Sequence, residues 1–139
     1  MRQYQNAASS AFQVLAVEPT SRSSQRRVIS TLGKLTQEQV RAGQRAQAEA
    51  NVEKLIQFGR DVKQKSPNTL AYRLTFARLL HTLGDAYAAL ASTDLAKDAY
   101  RKMLEEMHAV ESQPDFAEAH RKEMETVAAA LAKLEGGRP

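Results

Sequence analysis

The chain has 139 residues, enough for one compact domain, and 42% of them are hydrophobic, enough for a core. It contains no Cys, which excludes disulfides and thiolate metal sites, and no Trp; with only six Gly and four Pro, its Ala, Gln, Arg, Lys, Glu and Leu favour helix over a β-sandwich or barrel. The net charge of +4 is uneven, with 11 Lys/Arg against 5 Asp/Glu in residues 1–66 and 9 against 11 in residues 67–139.

A basic half of this kind can attract an acidic peptide, nucleic acid or anionic lipid. Its charges are scattered, however, and form no block. No apolar run approaches the roughly 20 residues needed to cross a bilayer. The opening Met1-Arg2-Gln3-Tyr4 leads into a mixed segment, not the apolar stretch of a signal peptide. The chain is therefore expected to be soluble and cytoplasmic.

Apolar spacing predicts six helices in chain order. The first covers about 2–17, with Ala7, Ala8, Ala11, Phe12 and Leu15 on one stripe, and Pro19 ends it. The cluster Thr20-Ser21-Arg22-Ser23-Ser24 supplies N-cap candidates for a second helix, from about Ser21 or Ser24 to Arg41. Its apolar face is Val28, Ile29, Leu32, Leu35 and Val40, and Gly43 marks a turn. The third helix, about Gln44 to Lys65, has a wide apolar face that includes Ala46, Ala50, Val52, Leu55, Ile56, Phe58 and Val62. Ser66-Pro67-Asn68 breaks it.

The fourth helix runs from about Asn68 to Leu90, with Leu70, Leu74, Ala77, Leu80, Leu83, Gly84 and Tyr87 at helical spacing. Ser92, Thr93 and Asp94 are cap candidates for the fifth, which carries Leu95, Ala96, Ala99, Tyr100, Met103, Leu104 and Met107 and ends at Ser112-Gln113-Pro114-Asp115. The sixth runs from about Asp115 to Leu134 and includes Phe116, Met124, Val127 and Leu131. Gly136-Gly137-Arg138-Pro139 should fray. Short connectors make the second and third helices, and the fourth and fifth, antiparallel neighbours. The expected core includes Ile29, Leu32, Leu55, Leu83, Tyr87, Ala96 and Tyr100.

A longer period overlies the helical one. Pro19, Pro67 and Pro114 are each followed by an arginine (Arg22, Arg73, Arg121), and ten residues later by a leucine (Leu32, Leu83, Leu131). A fixed period of this size marks a stacked repeat array. It divides residues 1–135, a single helical domain, into a half-repeat at 1–18, repeats at 19–66 and 67–113, and a half-repeat or capping helix at 114–135. Residues 136–139 form a flexible tail. Half-modules at the ends suggest a fragment of a longer array, a self-associating protein, or simple caps.

Leu80, Leu83, Gly84 and Tyr87, followed by Ala96, Tyr100 and Met103, resemble the tetratricopeptide repeat pattern. Gly84 and Ala96 fit a close helix crossing, with Tyr100 filling the space beside them, while Met103 departs from the small residue that the family prefers. A second copy begins at Ile29, Leu32 and Gly33, with Thr36 in place of the Tyr and Arg45, or Ala46 next to it, at the small station. A third keeps Arg121 and Leu131 but has Ala132 instead of Gly. The period of about 48 looks like a long bacterial variant, appended to large multidomain signalling proteins. The resemblance implies an all-α, TPR-like solenoid of about six helices that binds a partner protein or peptide in a concave groove. Its groove positions fall on Arg27, Ser30, Lys34 and Gln37 in one copy and on Arg78, His81, Asp85 and Ala88 in the other. This mixture is basic to neutral and suits a peptide with acidic groups. It lacks the paired asparagines that tetratricopeptide domains use to clamp a terminal carboxylate.

Signs of catalysis are missing from the sequence. His81, His108 and His120 form no two-His metal pair, and there is no phosphate loop, nucleophile elbow or Cys–His pair. Glu105, Glu106 and Glu111 read as a charged helix face. The expectation is no enzyme, no metal and no cofactor. The densest basic region, Arg22, Arg26, Arg27, Lys34, Arg41 and Arg45, keeps nucleic-acid binding as an alternative. The nearby aromatics, Tyr4 and Phe12, suit a core, however, and no helix-turn-helix or RNA-stacking pattern appears. Self-association is the other alternative, and no membrane partner is expected.

Overall fold

A computed structural model describes residues 6, 13, 21–65 and 69–136. The predicted first helix therefore lies outside the described residues except at Asn6 and Gln13, as do Pro19 and Pro67. Five long helices follow, with no strand among the described residues: α1 (Arg22–Arg41), α2 (Arg45–Lys65), α3 (Leu70–Ala89), α4 (Thr93–His108) and α5 (Glu118–Gly136). None of them is long and apolar enough to cross a membrane. The chain divides into two compact units, residues 1–68 and 69–139, next to the boundary expected between the two repeats.

In the first unit α1 packs on α2. Ser21 caps α1, its hydroxyl accepting a hydrogen bond from the Ser24 backbone N–H at 3.4 Å. The heptad-like spacing of Val28, Ile29, Leu32 and Leu35 puts all four in the core, with Ala48, Val52, Leu55, Phe58 and Val62 buried on α2. Ile29 and Leu55 are 0% exposed, and burying side chains of this size stabilises a fold by about 1.5–3 kcal/mol each. A buried amide pair joins the helices: Asn51 Nδ2 donates to Gln39 Oε1 at 2.6 Å. Ala46 and Ala50, expected on the buried face, are exposed.

The second unit packs α3 on α4 and α4 on α5. Ala77, Leu80, Ala96, Tyr100, Met103, Met107, Val110, Phe116, Met124 and Val127 form one core cluster. Tyr87, expected in the core, is only half-buried against it, and Leu95 is exposed. Helix α4 ends at His108, before the expected Ser112, and α5 starts at Glu118, after the expected Asp115. The segment between them coils through successive turns, with Val110, Gln113 and Phe116 N–H groups bonding the Met107, Val110 and Gln113 carbonyls. This places Phe116 in the core from a turn instead of from the predicted helix. At the other end Gly136, expected to fray, is the last residue of α5.

The turn of each hairpin is built the same way. The N–H groups of Ala42, Gly43, Gln44 and Ala48 bond the carbonyls of Glu38, Val40, Gln39 and Gln44. Those of Leu90, Ala91, Ser92 and Ala96 bond the carbonyls of Ala86, Ala88, Tyr87 and Ser92, the same four bonds 48 residues later. Each set contains a Schellman closure, with its left-handed residue at Gly43 (φ 75°) or Ala91 (φ 60°). Counted from these turns, Ala48 matches Ala96, Val52 matches Tyr100, Leu55 matches Met103 and Leu35 matches Leu83, and all eight are buried.

This register corrects the alignment expected from sequence. The counterpart of Leu83-Gly84 is Leu35-Thr36, not Leu32-Gly33, and the small station is Ala48, not Arg45 or Ala46. At Gly84 an added Cβ would lie 3.0 Å from Tyr100 Cζ and closer still to Cδ1 and Cε1, so the helices meet there as expected. The first hairpin places Thr36 and Val52 at the same stations: a larger residue on the first helix, a smaller one on the second. Thr36 is 0% exposed, and its hydroxyl is satisfied by the Leu32 carbonyl at 2.7 Å.

Candidate functional site

The eight candidate groove residues fall on two helix faces, one in each unit. On α3, Arg78, His81, Asp85 and Ala88 recur at three- and four-residue spacing and therefore share a face. Three of them are engaged within the unit. His81 Nδ1 is 2.9 Å from Glu123 Oε2 on α5, and its Nε2 is 3.4 Å from Asp85 Oδ2. Asp85 Oδ1 accepts a hydrogen bond from the Tyr100 hydroxyl on α4 at 2.6 Å. The His81 and Tyr100 rings meet edge to face, 6.4 Å between centroids. Ala88 is half-buried against the core cluster.

The electrostatics follow from this arrangement. The hydrogen bond to Glu123 raises the His81 pKa above its ordinary 6.5, against burial and the nearby Arg78 charge, while Asp85 adds to the rise. The same bond lowers Glu123 below its ordinary 4.5, against burial, and Arg78 and His120 assist. Burial, then the bond to Asp85, pushes the Tyr100 hydroxyl well above its usual range. Both contacts tie the helices together: the His81–Glu123 hydrogen bond joins α3 to α5, and the Tyr100 phenol donating to the Asp85 carboxylate joins α4 to α3.

The other histidines have local partners. His120 packs on the Phe116 ring at 5.3 Å, with the Arg121 guanidinium 5.2 Å from the ring centre. His108 Nδ1 is 2.9 Å from Glu111 Oε1. An open depression of about 330 Å³ is lined by Leu104, His108, Glu111, Arg121, Met124, Glu125 and Ala128, and His81 is not among them. Among the described residues no cluster of His, Cys, Asp or Glu could hold a metal ion.

The face on α1 is different. Arg27, Ser30 and Lys34 are exposed and Gln37 is half-buried. Arg22 and Arg26 extend the same side towards the helix N-terminus, and both are exposed. Among the described residues Arg22, Arg26, Arg27 and Lys34 make no ion pair, and the one acid on α1, Glu38, is taken by Arg41. In the 48-residue register, the α1 counterparts of Arg78, His81, Asp85 and Ala88 are Ser30, Gly33, Gln37 and Val40. Arg27 and Lys34 match Thr75 and Thr82, so positive charge at these two stations is confined to the first hairpin.

No family model, no curated protein and no solved structure matches the chain. Its internal repetition is therefore the comparison that carries most weight. Two partners of the α3 face were not foreseen from sequence. Glu123 reaches the α3 face from α5, and Tyr100 anchors Asp85 from α4. The signal for Tyr100 was present, because a residue that fills the space over Gly84 must also place its hydroxyl near Asp85. Glu123 had no such signal, since its partner lies 42 positions away.

Proposed function

We propose that the protein is a protein–protein interaction module of tetratricopeptide type, a scaffold or adaptor that holds a partner protein or peptide against the outward faces of its first helices. It would belong with the long-period bacterial variants and work in the cytoplasm. The supporting observation is the recurrence of one turn, four hydrogen bonds and the buried stations around it at an offset of 48 residues. Hairpins repeated at a fixed period commonly build extended recognition surfaces. The exposed α1 face, with Arg27, Ser30 and Lys34 open to solvent and Gln37 beside them, is the most accessible candidate surface. No cofactor is required for this role. A photo-activated cross-linker placed at Ser30 tests it: a partner protein is captured there and not from Glu53, an exposed position on α2.

A further inference from the structure

The two first-helix faces differ in what already occupies them. On α3, His81 holds the Glu123 carboxylate at 2.9 Å, and the Arg78 charge helps to keep that carboxylate ionised. The molecule thus shows once how a first-helix face seats an acid. On α1 the cations Arg22, Arg26, Arg27 and Lys34 have no acid paired to them among the described residues, and Glu38, the one acid of the helix, is taken by Arg41. Arg22, Arg26, Ser30 and Lys34 lie four apart on one row, with Arg27 on the row beside it. The stripe is about 18 Å long at about 1.5 Å per helical residue. That length matches about five residues of extended chain at about 3.3 Å each.

We infer that this α1 stripe is the docking site for an acidic segment of a partner polypeptide. The inference rests on the proposed function and names the chemistry of the partner. Four like charges on one side of a helix repel each other, and a chain of carboxylates relieves that repulsion while steering association. Ser30, set between the cations, offers a neutral hydrogen-bonding group of the kind that suits carboxylate and peptide groups. A nucleic-acid ligand would favour aromatic side chains among the cations for its bases, and Arg22–Gln37 contains none. Polypeptide is the better match.

The probe is a fluorescein-labelled oligoglutamate, followed by fluorescence anisotropy with the full chain. Binding is expected, weakening as salt is raised because exposed charges are screened. Reversing Arg27→Glu with Lys34→Glu should weaken it about tenfold or more. Reversing Lys54→Glu with Arg60→Glu on α2, an equal change in net charge, should leave it within about twofold. Circular dichroism checks the fold, and neutral Arg27→Gln with Lys34→Gln repeats the test should the reversed protein be disturbed. Absence of binding, or equal loss in both reversed proteins, overturns the inference. So does tighter binding of a single-stranded oligonucleotide of matched charge, which would assign the stripe to phosphates. If the cross-linker at Ser30 captures a partner protein that oligoglutamate does not displace, the acidic chemistry is wrong and the interaction module stands.

Discussion

Tyr100 is held at both ends of its ring. Its ring carbons occupy the space that a side chain at position 84 would need, and its hydroxyl is tied to Asp85. Gly84→Ala improves helix propensity by about 1 kcal/mol, whereas overpacking a filled crossing costs about 1–3 kcal/mol. The second effect wins because the tethered ring has little room to move, so a lower urea midpoint is expected. Gly84→Thr should be more harmful, and pairing it with Tyr100→Val, which reproduces Thr36 and Val52, should destabilise less than the two single changes summed. A strictly additive pair would contradict the proposed equivalence of the stations. The His81–Glu123 bond gives a second prediction at this scale. His81 has a raised pKa, so its contribution is full below pH 6.5 and fades as pH rises through the raised value. Glu123 has a lowered pKa, so its contribution is full above pH 4.5 and fades as pH falls through the lowered value. The difference in melting temperature between wild type and His81→Gln should therefore be largest between pH 4.5 and 6.5 and shrink on both sides. A flat difference across pH would show that the pair does not hold α5 to α3.

At the scale of the elements, the two hairpin turns make opposite demands on similar geometry. Gly43 adopts φ 75° without strain, whereas Ala91 adopts φ 60° with its Cβ crowded. Ala91→Gly is expected to stabilise by up to about 1 kcal/mol and Gly43→Ala to destabilise by about 1 kcal/mol, both read from chemical denaturation. Equal effects of the same sign would contradict the shared turn. These turns also explain what the sequence could reveal. The second helix to the fifth were legible within a few residues because apolar spacing, Pro67 and the Ser-rich cap mark their limits. The register was not, because Gly33 imitates Gly84. The equivalence is set instead by a left-handed residue that is glycine in one turn and alanine in the other. The start of α5 was misplaced because Phe116 obeys the apolar spacing of a helix while entering the core from a turn. Asn51 and Gln39 bond each other inside the first hairpin, an arrangement that hydropathy alone cannot signal.

Over the whole molecule, charge is divided as the structure is divided. The basic excess belongs to residues 1–68 and the acidic excess to residues 69–139, each in its own compact unit. The tetratricopeptide resemblance selected Arg27, Ser30, Lys34 and Gln37 on α1 and Arg78, His81, Asp85 and Ala88 on α3. It could not tell that the second face is engaged by Glu123 and Tyr100 while Arg27, Ser30 and Lys34 on the first are exposed, because that depends on contacts far apart in the chain. The account turns on whether the open face meets another protein. The direct measurement is cross-linking from Ser30, with Glu53 as the reference position, in lysate of the source cells and read by mass spectrometry. The account predicts a heterologous adduct from Ser30 that is lost when Arg27 and Lys34 are reversed to Glu, with none from Glu53. Adducts of equal yield from both positions, or only adducts between copies of this chain, would contradict it.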